Sequence, residues 1–188
     1  MKVLLALFEH PAGVDVGAGN RMTYDFEADV AHFGACSVTG PALRWEVTPV
    51  EHGVDEGVIA EGAALSSVVT LDGSHEWLMR CDRVDFPRGG VAHRHVHPGP
   101  GIRRLLFGEL TVTTGGLTTT HRADDPWFES GPEPVYAEAS AAQEAAFVRV
   151  MLLPAKWAGR RTIRYLDPAD AARPARQTAR VFREESLQ

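Results

Sequence analysis

The stretch Gly89-Gly90-Val91-Ala92-His93-Arg94-His95-Val96-His97-Pro98-Gly99-Pro100-Gly101 carries three histidines at alternate positions. Alternate side chains of an extended strand point to the same face, so His93, His95 and His97 are expected to share one face. Imidazoles that lie this close are able to bind one divalent metal. The turn residues at 98–101 end the strand sharply, because proline donates no backbone hydrogen bond and glycine allows tight turns. The sequence therefore predicts a histidine-bearing strand end followed by a turn.

The chain on both sides of this stretch has the pattern of short antiparallel strands. Residues 66–71 are rich in β-branched side chains and precede Asp72-Gly73, a hairpin-type turn signal. Residues 77–86 alternate apolar and polar side chains, and residues 147–153 form the last strongly apolar run. Short strands separated by glycine and proline indicate an all-β sandwich or barrel.

Length and composition limit the other possibilities. The chain has 188 residues, enough for one domain with a real core, and a formal net charge of −6, which argues against nucleic acid as a partner. Two cysteines give no disulfide framework, and a cytoplasmic location is expected. The apolar start at residues 1–8 is interpreted as a buried first strand rather than a secretory signal, and no run is long enough to span a membrane.

Three regions are expected along the chain. Residues 1–64 form an N-terminal extension that packs on the barrel, and its acidic segment 51–62 is predicted to be a surface loop. Residues 65–153 form the barrel. Residues 154–188 form a C-terminal tail that wraps the barrel or contacts another subunit, because the character of the sequence changes after Pro154.

The histidine stretch resembles the first motif of the cupin superfamily, which is a glycine, five residues, His-x-His, three or four residues, a glutamate, six residues and a glycine. Gly89, the pair His95 and His97, and Gly108 occupy the corresponding positions. The resemblance covers roughly residues 65–153. It implies a double-stranded β-helix, the cupin jelly-roll barrel, and a homodimer.

Two positions depart from the family pattern. Gly101 stands where the family usually has a glutamate ligand. The second motif is poorly matched, because its expected histidine falls at Val135, with Tyr136 beside it.

His95 and His97 are the predicted metal ligands, and a third group is needed because two histidines alone hold a metal weakly. Glu129 is the chosen third ligand, since it alternates with Trp127 on one strand and a buried glutamate needs a partner. An exposed glutamate at a strand end is the alternative. The expected ion is a divalent transition metal, with iron, manganese, nickel, cobalt and zinc all open.

Substrate contacts are expected from Arg103, which lies two residues after Gly101, from Arg149 and from Trp127 in the pocket wall. Inward arginines favour carboxylate or phosphate groups; for Arg103 the alternative is a surface ion pair. His93 and Tyr136 are the candidates for proton transfer, with His93 as a simple wall residue left open.

The resemblance and these residues together predict a metal-dependent enzyme that acts on a small anionic organic molecule. Dioxygenation is the first expectation, with isomerase or lyase chemistry next. The alternative is a non-catalytic cupin that binds or senses a small ligand, which the missing glutamate and the missing histidine favour. Because cupins carry many functions, the fold alone decides little.

Overall fold

The computed structural model describes residues 1–50, 60–174 and 176–188, and strands form most of it. The first seven strands are β1 (Lys2–His10), β2 (Val14–Val16), β3 (Arg21–Asp25), β4 (Val30–Phe33), β5 (Cys36–Val38), β6 (Ala42–Pro49) and β7 (Leu65–Thr70). The next eight are β8 (Trp77–Phe86), β9 (Val91–Val96), β10 (Gly101–Phe107), β11 (Glu109–Thr114), β12 (Leu117–Arg122), β13 (Pro126–Glu129), β14 (Val135–Ala139) and β15 (Ala145–Pro154). A short 3-10 turn at Ala155–Trp157, strand β16 (Arg164–Tyr165), helix α1 (Pro168–Ala171) and strand β17 (Thr178–Ser186) complete the chain.

Strands β8 to β15 form two facing sheets. The first barrel sheet has the order β13-β10-β15-β8, with β17 added at its edge beside β8. The second barrel sheet has the order β12-β11-β14-β9, with β16 added beside β9. Apart from the β11–β12 hairpin, successive strands pass back and forth between the two sheets, and neighbours within each sheet pair antiparallel, which is the jelly-roll arrangement. The predicted all-β barrel is confirmed.

A third sheet lies outside the barrel, in the order β4-β3-β6-β1-β7. Its apolar side packs on the outer face of the first barrel sheet, so that Leu5 and Trp45 share one core with Val148 and Val150. The Trp45 indole also donates a hydrogen bond to the backbone oxygen of Ile102 at 3.1 Å. Strand β15 is consequently buried along its whole length, because one face meets the third sheet and the other meets the barrel interior.

The division of the chain differs from the expected one at its first boundary. Strand β7 pairs with β1 in the third sheet, so the barrel begins at β8 rather than at residue 65. The physical reason is edge pairing: β1 has two free edges, and β6 and β7 satisfy one each. The predicted acidic loop lies largely outside the described residues, since residues 51–59 are not described.

The chain after residue 154 stays on the barrel. Strand β17 pairs with β8 along its length, and β16 pairs with the end of β9. Residues 155–166, which follow β15 and include β16, cross from one barrel sheet to the other at one end of the barrel. This stretch is called the mouth segment below. No helix among the described residues is long and apolar enough to cross a membrane.

Candidate functional site

The inner face of the first barrel sheet carries a row of charged side chains at one level. Strand register places Arg103 opposite Arg149, and Arg149 opposite Asp82. All three are at most 6% exposed. Charges buried this deeply need partners, since desolvation of an unpaired ion costs several kcal/mol. Each of these three charged side chains therefore needs an ionic or hydrogen-bonding partner inside the barrel.

The Arg149 guanidinium has two such contacts. Its Nε and Nη2 atoms donate to the two carboxylate oxygens of Asp82, at 2.6 and 3.3 Å. Its Nη1 atom lies 3.3 Å from Nε2 of His97. Arg149 thus bridges the carboxylate on β8 and the imidazole at the end of β9.

Two imidazoles project into the same space from the second barrel sheet. Nε2 of His95 lies 3.2 Å from Nε2 of His97, and both side chains are about 95% buried. Nδ1 of His95 lies 2.7 Å from the backbone oxygen of His93. Because a carbonyl only accepts, this contact places the ring proton on Nδ1 and leaves the Nε2 lone pair of a neutral ring facing the interior.

Electrostatics keep both rings neutral near pH 7. Burial lowers the pKa of His95. Burial also holds the pKa of His97 well below its usual range, and the positive charges of Arg149 and Arg103 act in the same direction. Neutral imidazoles are the form that binds a metal or accepts a hydrogen bond.

Glu129 lies opposite Gly101 across the β10–β13 pair. Its Oε1 accepts a hydrogen bond from the Trp127 indole at 2.9 Å, and its Oε2 lies 2.7 Å from Nη2 of Arg103. Arg103 also donates to the backbone oxygen of Gly101 at 2.6 Å. The carboxylate is therefore buried, paired and on the same inner face as the ionic row.

Gly101 has no room for a side chain. A Cβ atom at this position would lie 2.5 Å from the backbone oxygen of Val150 and 2.9 Å from Cγ of Met151. The carboxylate that the cupin motif usually supplies from this position is absent here. Since opposed residues of an antiparallel pair share a face, Glu129 presents a carboxylate to the same face from the neighbouring strand.

Comparison with known proteins gives structural neighbours only. No protein-family model matches the chain, and no curated protein matches it. One similar solved structure is an RmlC-like cupin from Shewanella frigidimarina, 20% identical over 44% of this chain and 69% of that chain, with a TM-score of 0.38. Another is a cupin 2 conserved barrel domain protein from Leptotrichia buccalis, 13% identical over 80% of this chain and 73% of that chain, with a TM-score of 0.36. A third is salicylate 1,2-dioxygenase from Pseudoaminobacter salicylatoxidans, 8% identical over 80% of this chain and 66% of that chain, with a TM-score of 0.38.

The strand order, in which β13-β10-β15-β8 faces β12-β11-β14-β9, is the jelly-roll barrel that the cupin resemblance implies. The histidine motif lies where the cupin resemblance predicts, at the end of β9 and facing the interior.

A divalent metal is the cofactor that the cupin resemblance implies. Two ligand atoms about 2.1 Å from one ion lie about 3.0–3.4 Å apart, so the 3.2 Å between the two Nε2 atoms fits a shared ion. Glu129 Oε2 is 4.0 Å from Nε2 of His97 and must come about 1 Å closer to act as a ligand adjacent to His97. Among the described residues, no group of three His, Cys, Asp or Glu side chains is already set for a metal. The two imidazoles fit a metal as a pair, and the carboxylate fits only after it moves.

The barrel encloses a cavity of about 560 Å³ beside these groups. Most of its wall is apolar, and His95, His97, Arg149 and Glu129 supply polar atoms at one place. The apolar wall residues include Val84, Phe86, Ala92, Leu110, Val112, Ala137 and Phe147. An apolar cavity with a few convergent polar groups is typical of a site for a small organic molecule.

Of the predicted site residues, His95, His97, Glu129, Trp127 and Arg149 line the cavity. They come from β9 and the turn after it, from β13 and from β15, and the jelly-roll register brings them together. Arg103 is fully buried behind them. It is not among the lining residues, and its contact is with Glu129 rather than with the open space.

His93 and Tyr136 do not lie in the cavity wall, and the expectation of a shared histidine face is wrong for His93. The reason is a bulge in β9, where the register with β14 shifts so that Ala92 and His95 both face inward. The His93 ring lies instead beside Asp170, 3.9 Å away, and Arg173, 3.4 Å away.

The position of Tyr136 follows from the register between β14 and β9, which places its neighbour Val135 opposite His95. Val135 therefore points inward and is buried, while the Tyr136 hydroxyl donates to Glu138 at 2.9 Å on the outer side. Neither His93 nor Tyr136 is positioned to transfer a proton inside the cavity.

Sequence reasoning missed Asp82 and Arg80, which both line the cavity. The available signal was the pair Arg80 and Asp82, two charged residues on either side of Cys81 in the strand predicted at residues 77–86. Alternation puts Arg80 and Asp82 on one face and the buried Cys81 on the other. Charged residues at alternate positions of a central strand indicate a polar barrel interior.

Proposed function

We propose that the protein binds a small organic molecule in the barrel cavity and acts on it with a divalent metal held by His95 and His97. Glu129 is the proposed third ligand. The observation that carries this proposal is the pair of imidazole Nε2 atoms, 3.2 Å apart, with the His95 tautomer set by the His93 carbonyl.

A bound divalent metal supplies Lewis-acid polarisation of a substrate oxygen or, in the case of iron, activation of dioxygen. Oxygenation of the substrate is the reaction class we propose first, with isomerase or lyase chemistry as the next possibilities. The open coordination positions left by two histidines and one carboxylate suit each of these.

The residues around the ion-binding pair have separate roles. Arg149, fixed by its two bonds to Asp82, directs Nη1 towards His97 and offers its remaining N–H to a polar substrate group. Arg103 and the Trp127 indole hold the Glu129 carboxylate in place. The apolar wall excludes water and accepts the body of the substrate.

Metal analysis of the purified protein tests the proposal. The protein is analysed as isolated and after incubation with iron(II), manganese, nickel, cobalt or zinc. We expect one ion per chain, and we expect the His95→Gln and His97→Gln variants to lose it. The His93→Gln variant is the matched control and retains the ion, because His93 lies outside the cavity.

A non-catalytic cupin that binds its ligand without metal is the second candidate. It is favoured by the Arg149 contact, since a guanidinium N–H 3.3 Å from the His97 lone pair satisfies that lone pair without an ion. The Glu129 carboxylate is likewise satisfied by Arg103 and Trp127. Absence of metal uptake under every condition above contradicts the enzyme proposal and leaves this candidate.

A further inference from the structure

The mouth segment is strongly basic. Residues 155–166 contain Lys156, Arg160, Arg161 and Arg164 and no acidic residue, in a chain whose net charge is −6. Strand β16 pairs Tyr165 with His95, so this segment reaches the histidine end of the cavity. A local cluster of one sign beside a low-dielectric cavity concentrates ligands of the opposite charge.

Arg160 and Arg161 both line the cavity and are both exposed. Neither forms an ion pair with a carboxylate of the described residues. The Arg161 guanidinium lies over the Tyr165 ring, 5.9 Å from the ring centroid. The arginines inside the barrel differ, because Arg103 and Arg149 are each neutralised by a buried carboxylate. Among these arginines, the positive charge that no carboxylate neutralises is therefore in the mouth segment rather than inside the barrel.

The backbone of the mouth segment is held in place by buried contacts. Arg80, only 2% exposed, donates to the backbone oxygens of Arg160 at 2.8 Å and Trp157 at 2.7 Å. Glu184 accepts from the Gly159 backbone at 2.8 Å and pairs with the Arg80 guanidinium. These bonds involve main-chain atoms of the segment, so the Arg160 and Arg161 side chains are presented from a fixed backbone.

We infer that Arg160 and Arg161 bind the anionic head group, a carboxylate or a phosphate, of an amphipathic ligand whose apolar body lies against the apolar wall of the barrel. The inference rests on the proposed function only in that the cavity binds a small organic molecule; it requires no metal. Two guanidinium groups form charge-assisted hydrogen bonds with a carboxylate. The apolar wall beyond the histidines suits an alkyl or aryl body and has no group to pair with a second anion.

Calorimetric titration with octanoate, octanol and octyl phosphate, which share one alkyl body, tests the inference. We expect octanoate to bind about tenfold or more tightly than octanol at low ionic strength, with an affinity that falls as salt is added. The Arg160→Ala/Arg161→Ala variant loses most of this preference and most of the salt dependence, while its affinity for octanol is unchanged. The Arg80 contacts to the segment involve backbone oxygens, so the variant keeps its anchor.

The Arg88→Ala/Arg164→Ala variant is the matched control, because it removes two exposed arginines that do not line the cavity. It retains the preference for octanoate. A preference that survives in Arg160→Ala/Arg161→Ala overturns the inference, as does equal binding of octanol and octanoate by the wild type. The tighter of octanoate and octyl phosphate identifies the head group. Binding of none of the three probes by the wild type overturns the proposed cavity function as well, whereas octanol binding alone leaves that function standing.

Discussion

Replacement of Glu129 by glutamine removes one charge from the buried pair with Arg103. The two groups are 2.7 Å apart, and Arg103 is 0% exposed. Glutamine keeps the shape of the side chain and still offers an oxygen to the Trp127 indole. The substitution therefore tests the charge of the carboxylate with little change in packing.

The expected cost is about 3–5 kcal/mol in the free energy of unfolding, because the guanidinium is left buried without a counter-ion. Deprotonation of Arg103 sets an upper limit on this cost. Burial lowers the pKa of Arg103 to about 10 in the wild type, with the Glu129 charge opposing this shift. Because the variant lacks the Glu129 charge, the pKa falls further, and neutralising Arg103 at pH 7 costs at most about 4 kcal/mol.

Urea unfolding of metal-free protein measures the effect. Glu144→Gln serves as the control, since Glu144 is exposed and a surface change of this kind is expected to stay within about 0.5 kcal/mol. The double variant Arg103→Met/Glu129→Gln is expected to regain much of the loss, because no unpaired charge then remains buried. A loss below about 1 kcal/mol for Glu129→Gln, or no recovery in the double variant, refutes the buried-pair reasoning.

Three further outcomes are expected. In metal-free protein, the free energy of unfolding falls as the pH drops below about 6.5, by up to about 1.4 kcal/mol per pH unit for each of His95 and His97. The reason is that burial lowers the pKa of both rings, so the unfolded chain binds more protons than the folded one. The urea midpoint is measured against pH, and a slope that is unchanged in the His95→Gln/His97→Gln variant contradicts this expectation. Gly101→Ala lowers the free energy of unfolding, measured by thermal unfolding, by about 1–3 kcal/mol, because the added Cβ would lie 2.5 Å from a backbone oxygen of β15. Gly73→Ala, whose Cβ has no atom within 4 Å, stays within about 0.5 kcal/mol. Equal effects of the two substitutions mean that the β15 backbone shifts at little cost in free energy. Arg80→Met releases the mouth segment, so limited trypsin digestion cuts between residues 155 and 166 at least about tenfold faster than in the wild type; equal cleavage rates rule out the anchoring role.

The histidine motif and its surroundings were largely predictable. The glycine-flanked alternation of His95 and His97, with turn residues after it, predicted an inward-facing pair at a strand end, and the structure places both rings in the cavity. The alternation of Trp127 with Glu129 likewise predicted two inward side chains. These predictions succeed because they depend only on the two-residue period of a regular strand.

The failures occur where the two-residue period is interrupted or where a partner comes from another strand. The β9 bulge turns His93 away from the cavity, and no local sequence signal marks the extra residue. Arg103 was expected to face a substrate, but its contact is Glu129 on the neighbouring strand. The pairing of Arg149 with Asp82 joins residues 67 positions apart.

The sequence by itself determined the strand content, the turn positions and the identity of the histidine pair, because these follow from side-chain periodicity and from the backbone limits of glycine and proline. Only the tertiary structure decided which charges neutralise one another and which remain free at the mouth. Strand order brings Asp82 to Arg149 and Glu129 to Arg103, and the mouth segment brings Arg160 to the cavity. Such partners are set by register between distant strands, which the pattern within any single strand does not contain.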